Sequence, residues 1–210
     1  MVQEQSKTRI LLKSKALHQQ GSTQYSISIR EQLSPAFSFI NKLEEVTLGA
    51  ARSYNYEALA PSLVIPLVGS VMVNEQTVNA GQFIRTSSSQ MKIRNPFRKS
   101  NIDFLNLSFQ REQTTKKRVE EVFAGESNQL HPLLISGNLK VSIGRFSGRF
   151  DAEYKTHSPD SLVLAYIIEG AFEMQNCLLE KGDALEISHS EQLDFEALSN
   201  NAILLLVEHA

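Results

Sequence analysis

Histidines, one cysteine and a cluster of tyrosines are the residue types in this chain that could do chemistry, and their spacing limits what they could do. The five histidines are His18, His131, His157, His189 and His209. No two form an H-x-H pair, and none lies between His18 and His131, so no metal-ligand spacing is present. Cys177 follows a hairpin turn with no base or second cysteine nearby in sequence, which reads as a structural thiol and excludes an internal disulfide. The Thr86–Gln90 run, TSSSQ, has the small polar residues of a turn; there is no Ser-His-Asp logic and no phosphate-cradling glycine loop. Ser53 to Leu59 holds Tyr54, Asn55, Tyr56 and Glu57. Tyr54, Tyr56 and Tyr154 combine an apolar ring with a polar tip, which suits a pocket mouth and equally suits plain packing on a strand.

The elements that must position these residues are strands, and the chain writes them twice. Pro66 to Ile93, PLVGSVMVNEQTVNAGQFIRTSSSQMKI, is matched by Tyr166 to Phe195, YIIEGAFEMQNCLLEKGDALEISHSEQLDF. Gly69 and Gly81 fall on Gly170 and Gly182 at one common offset; one further residue near Gln192 brings Met91 and Ile93 onto Leu193 and Phe195. The apolar stretch Ile102 to Phe109 matches Ala202 to Val207, so the repeat reaches each unit's last strand. Short strands broken by Gly, Pro, Asn and Ser predict an all-β sandwich or barrel, here two of them. Upstream, Tyr25, Ile27 and Ile29 alternate with Ser26, Ser28 and Arg30 as in a half-buried strand, and Leu43 to Ala50 reads as another. Gln110 to Gly125 lacks alternation and has Val119, Val122 and Phe123 at helical spacing, so a linker helix is expected there. The domains expected are a first barrel over 1–109, a helical linker over 110–130 and a second barrel over 131–210.

The 210 residues include 41% hydrophobic and 21% charged side chains, an ordinary globular composition with a formal net charge of -2. That balance gives no global attraction to nucleic acid or anionic lipid. Arg94, Arg98, Lys99 and Lys116 to Arg118 make only local basic spots, with no helix-turn-helix or aromatic RNA motif. No apolar run is long enough to span a membrane, and the polar start MVQEQSKTR lacks a signal-peptide core. A cytoplasmic protein is expected, with no nucleic-acid or membrane partner; a homo-dimer is compatible with exposed sheet edges.

AYIIEGAFEMQNCLLEKGDALEIS, followed by LDFEALSNNAILLLVE, resembles the C-terminal cupin of the pirin family, which includes bacterial quercetin 2,3-dioxygenases. The elements that carry the resemblance are Glu169-Gly170, the Gly182–Ala184 run GDA, and the closing apolar strand, over roughly residues 139 to 208. The resemblance implies two cupin barrels (double-stranded β-helix, or jelly roll) joined by a short helical linker. It also implies a metal site in the first barrel, built from an H-x-H pair, a later histidine and a carboxylate. Ungapped counting from Gly69 puts the first pair on Asn55 and Glu57, and counting from Gly81 puts the second near Arg94 and Pro96. The first barrel therefore lacks the histidines for that site.

The expected function is a metal-free, catalytically degenerate pirin-like bicupin without a cofactor, binding a small molecule or a protein partner. Its pocket candidates are Tyr54, Asn55, Tyr56, Glu57 and Arg94, with Glu57 and Arg94 forming a buried ion pair or meeting a ligand. The alternative is a cupin-superfamily oxidoreductase, such as a quercetinase-like dioxygenase, or an isomerase. It would use a non-family site: Glu57 with His157 or His189, or Glu57 and Arg94 without metal. A structural or regulatory interaction protein is a third reading, and predicts a flat apolar patch in place of a deep barrel cavity.

Overall fold

The computed structural model describes residues 6–21, 24–57, 62–86, 90–110, 118–122 and 127–210. Among them the regular structure is β-strand with three short 3-10 turns, grouped into four sheets. The expected all-β, two-barrel architecture is what the chain forms.

In the first unit, Ala16–Val122, a seven-stranded sheet runs Arg118–Glu121, Gln82–Thr86, Ser62–Val68, Ile102–Phe109, Ile40–Leu48, Gln24–Ser28, Leu17–Gln20. Its four-stranded companion runs Ser53–Glu57, Gln90–Arg94, Ser70–Val73, Gln76–Asn79. The second unit repeats the plan. A six-stranded sheet runs Lys7–Leu11, Ala184–Ser188, Leu162–Glu169, Ala202–His209, Leu139–Phe146, Gln129–Ser136. Its companion runs Phe150–Lys155, Gln192–Ala197, Ala171–Met174, Cys177–Glu180.

The duplication holds at the level of backbone register. Ile102 pairs with Leu48 and Ser108 with Lys42; in the second barrel Ala202 pairs with Phe146 and Glu208 with Lys140. Each copy carries the same bulge, where pairing skips Leu67 in one and Ile168 in the other. Even the hairpin turns match, with positive φ at Asn74 and Glu75 and at Gln175 and Asn176, the conformation a two-residue hairpin needs.

Two expectations are corrected. Arg118–Glu121 is a strand, not helix: it pairs antiparallel with Gln82–Arg85 at the sheet edge, and Val119 packs on the first barrel's core. Four residues with one apolar side chain facing in cannot display a period, and lone charges around it imitate a helix surface. Residues 111–117 and 123–125 of the expected helix lie outside the described residues. The domain limits also shift, because Lys7–Leu11 pairs with Ala184–Ser188 and belongs to the second unit. It fills the slot beside Ala184–Ser188 that Arg118–Glu121 fills beside Gln82–Thr86, so two unrelated segments do the same edge-covering job.

The interiors differ in chemistry. The second barrel is filled by aromatic packing, with Phe146 edge-on to Phe172 and Phe195 at centroid distances of 5.9 and 5.2 Å. The equivalent positions of the first barrel hold the smaller Leu48, Val71 and Ile93.

Candidate functional site

Side chains on a strand alternate between faces, so the residues lining the first barrel follow from the pairings. Tyr56 pairs with Met91 and Tyr54 with Ile93, and Tyr56, Met91 and Ile93 are buried among the core residues, with Tyr54 packed against them. Asn55 pairs with the exposed Lys92, and Arg94 with Ser53; Asn55 and Arg94 are exposed. The inward expectation for Asn55 and Arg94 is therefore off by one residue, and a one-residue slip turns every side chain to the opposite face. Arg94 is 3.6 Å from Glu75 in an ion pair whose side chains are 45% and 76% exposed, and its Nη2 lies 2.9 Å from Met72 Sδ. It does not fill the barrel. Glu57 pairs through its backbone with Gln90, and its side chain lies outside the described residues. Asn55 and Tyr56 do line one hollow of about 610 Å³, with Asn74, Gln90, Met91 and Lys92. His157 is exposed, and its backbone N–H donates to Glu208; His189 stands at a turn with φ of 58°.

The polar groups inside the first barrel come from two central strands, Ile40–Leu48 and Ile102–Phe109. On Ile40–Leu48, the face that carries Leu48 and Val46 continues into Glu44 and Lys42. On Ile102–Phe109, the face of Ile102 and Phe104 continues into Asn106 and Ser108. Asn106 pairs with Glu44, and Ser108 with Lys42. The signal was present as alternation, K-x-E-x-V-x-L and I-x-F-x-N-x-S, which puts polar residues on the core-facing side of two central strands.

These groups form one network. Glu44, with only 6% of its side chain exposed, accepts at one oxygen from Lys42 Nζ at 3.1 Å, the Tyr54 hydroxyl at 2.9 Å and Asn106 Nδ2 at 3.1 Å. Lys42 Nζ also donates to the Tyr54 hydroxyl at 3.1 Å and lies 4.1 Å from the centroid of the Tyr56 ring. The Tyr56 hydroxyl is 2.7 Å from Ser108 Oγ. Burial, with the Glu44 charge adding to it, pushes the Tyr54 phenol well above its usual range; burial also raises Tyr56. Both phenols keep their protons at neutral pH, and Tyr54 donates its own to Glu44.

The second barrel keeps only part of this arrangement. Tyr154 holds the place of Tyr56, Lys140 that of Lys42 and Glu208 that of Ser108, while Tyr54, Glu44 and Asn106 correspond to Ala152, Ser142 and Leu206. The Tyr154 hydroxyl and the His157 N–H both donate to Glu208, each at 2.5 Å. That polar end is closed upon itself.

A first-barrel metal centre of the expected family type needs inward histidines and a carboxylate. The four inward positions on the two relevant strands hold Tyr54, Tyr56, Met91 and Ile93: two protonated phenols, a thioether and an alkyl group. Among the described residues no three His, Cys, Asp or Glu side chains converge on a point that could hold a metal ion. The residues do not fit such a centre.

Residues 122–208 match the family model described as the quercetinase C-terminal cupin domain. No curated protein matches the chain. Among solved structures, YhhW from Escherichia coli superposes with a TM-score of 0.82 at 13% identity, covering 97% of this chain and 98% of that one. The same bacterial pirin in complex with nickel(II) gives a TM-score of 0.80 at 14% identity, covering 96% and 98%. Quercetin 2,3-dioxygenase from Acinetobacter baumannii gives 0.67 at 12% identity, covering 89% and 80%. No helix among the described residues is long and apolar enough to cross a membrane.

Proposed function

From a second barrel of the quercetinase C-terminal cupin type, set in the two-barrel cupin fold of the pirin structures, we propose that this protein is a metal-free bicupin whose first barrel binds a small molecule. The observation that carries this reading is the occupancy of the inward positions. Tyr54, Tyr56, Met91 and Ile93 take the inward positions of the two strands on which ungapped counting puts Asn55, Glu57 and Arg94, beside a Lys42–Glu44 pair. An ammonium ion already supplies the positive charge that a buried carboxylate requires, so a divalent cation has no electrostatic role there. The remaining polar groups are suited to binding: Lys42 and two phenols donate, and Glu44 and Asn106 accept.

Metal analysis of protein purified without added metal tests this directly. The expected result is iron, nickel, copper and manganese far below one per chain, with thermal stability unchanged by a chelator. Near-stoichiometric metal that chelation removes would overturn the proposal.

A second reading, a cupin-superfamily oxidoreductase or isomerase with a non-family site, draws support from one contact. Tyr54 bridges Lys42 and Glu44, an arrangement able to move a proton if a substrate reaches it. Oxygen uptake with quercetin, with and without added divalent metal, separates the two. Turnover that Tyr54→Phe abolishes would favour the second reading.

A further inference from the structure

We infer that the first barrel's ligand is a small neutral molecule carrying a hydroxyl or amide N–H, which it donates to Asn106 Oδ1. This rests on the small-molecule reading above and specifies its chemistry.

Asn106 is completely buried, and its amide nitrogen is held by Glu44. Its carbonyl oxygen, Oδ1, has no hydrogen-bond partner among the described residues. A buried carbonyl left unpaired is costly, and native proteins rarely keep one without an occupant to satisfy it. The duplicate barrel shows that the fold does not require it, because Leu206 takes the same position there. Glu44 and Tyr54 likewise correspond to Ser142 and Ala152 in the copy, so Glu44, Tyr54 and Asn106 gather at one level of one barrel only. An apolar set would stabilise the barrel at least as well, which points to a function for the polar one.

Charge balance selects the ligand class. Lys42 and Glu44 neutralise each other at 3.1 Å, and Tyr54 and Tyr56 keep their protons. A carboxylate or phosphate arriving beside Asn106 meets Glu44, and a cation meets Lys42; either adds a net charge next to a carboxylate only 6% exposed. A neutral hydroxyl or amide adds none. It donates to Asn106 Oδ1 and can accept from Lys42 through its own oxygen. The Tyr54 and Tyr56 rings, nearly parallel at 12° with centroids 6.3 Å apart, provide apolar surface for the ligand's body.

The test uses four one-ring probes of matched size: benzyl alcohol, benzamide, benzoate and benzylammonium. Each is titrated into the isotope-labelled full chain, and the Asn106 side-chain amide and the Tyr54 and Tyr56 ring signals are followed by NMR. The two neutral probes are expected to shift these signals at least tenfold more tightly than the two charged ones. Asn106→Leu, which installs the residue of the second barrel, is expected to weaken neutral-probe binding about tenfold while the spectrum stays dispersed. Should that variant not fold, Asn106→Ala serves, and the wild-type ranking of the four probes needs no variant. Tighter binding of benzoate or benzylammonium overturns the ligand class and leaves the small-molecule reading standing. Signals unmoved by every probe, or neutral-probe affinity unchanged by the substitution, overturn the inference and assign Oδ1 to a water. Failure of the metal-free reading shows itself separately, as bound metal that a chelator removes.

Discussion

The Lys42 ammonium sits 4.1 Å from the centroid of the Tyr56 ring, and its duplicate, Lys140, sits 5.0 Å from that of Tyr154. The two pairs occupy equivalent positions by backbone register, so a lysine over an inward tyrosine belongs to the repeated scaffold. The barrels diverge around that pair. In the second, the tyrosine hydroxyl goes to Glu208, which the His157 N–H also meets. In the first, the lysine is drawn into a network with Glu44, Tyr54 and, through Glu44, Asn106.

That divergence predicts unequal effects for one substitution made at two places. Lys42→Met removes the cation from Glu44, whose carboxylate then stays buried with only neutral donors, Tyr54 and Asn106. Because the lysine side chain is 26% exposed, the cost falls below that of a fully buried pair, at about 1–3 kcal/mol. Lys140→Met removes mainly a cation–π contact and costs under about 1 kcal/mol. Denaturant titration of the two variants should rank them in that order, and Lys42→Met combined with Glu44→Gln should recover part of the loss. Equal costs would show that Glu44 does not depend on Lys42.

Alkaline stability follows from the buried phenols. Burial raises Tyr54, Tyr56 and Tyr154, reinforced by Glu44 at Tyr54 and by Glu208 at Tyr154. An unfolded tyrosine loses its proton near pH 10. Since the folded values are higher, the unfolded chain releases these protons first, and the stabilisation present below about pH 10 declines as pH rises beyond it. Absorbance at 295 nm, followed upward in pH, should therefore leave at least three of the five tyrosines protonated until the protein unfolds. A smooth titration of all five before unfolding would contradict the buried network.

How far the chain's organisation can be read from its sequence depends on which signals survive a small slip. Gly69 and Gly170 both have φ of 79°, and Gly81 and Gly182 have φ of 89° and 88°; glycines mark such turns whatever the exact count. Strand phase is less forgiving. Counting to Asn55 and Arg94 missed the inward Tyr54, Tyr56 and Ile93 by one residue, and with period two that error exchanges core for solvent. The same phase error affected Gln24–Ser28, where Ser26 and Ser28 are buried while Tyr25 is exposed. Lys42, Glu44 and Asn106 were legible only by following each strand's inward face to its polar end. Their importance comes from contacts across strands far apart in sequence.

The repeated glycines offer a graded test of the turn geometry. A Cβ on Gly170 would collide with Ser199 Oγ and lie 3.0 Å from Ala202 Cβ and 3.1 Å from its Cα, in addition to the strain of a positive φ. A Cβ on Gly81 would meet nothing within 4 Å and would bear the φ strain alone. Gly81→Ala should cost about 1–2 kcal/mol, and Gly170→Ala distinctly more, since backbone around Ala202 must move. Thermal melts should give that order. If Gly81→Ala proves the more costly, the crowding at Gly170 is not what the turn resists.

The edge strand Arg118–Glu121 yields the last prediction, since strand and helix protect backbone amides differently. Val122 is 2% exposed, and its N–H donates to Gly81 O at 2.7 Å, closing the strand onto the Gly81 turn. Residues 118–121 lie at the edge of the sheet, pairing on one side with Gln82–Arg85. An edge strand leaves alternate amides facing solvent, whereas a helix would protect a continuous run after its first turn. Hydrogen exchange should find the Val122 amide slow and amides 118–121 alternating between slow and fast. Val122→Ala should lower stability by about 1–3 kcal/mol, because a packed side chain is shortened at the barrel edge. An unbroken protected run across 114–122 would mean that the segment is helical in solution, and a Val122→Ala effect near zero would detach it from the first barrel.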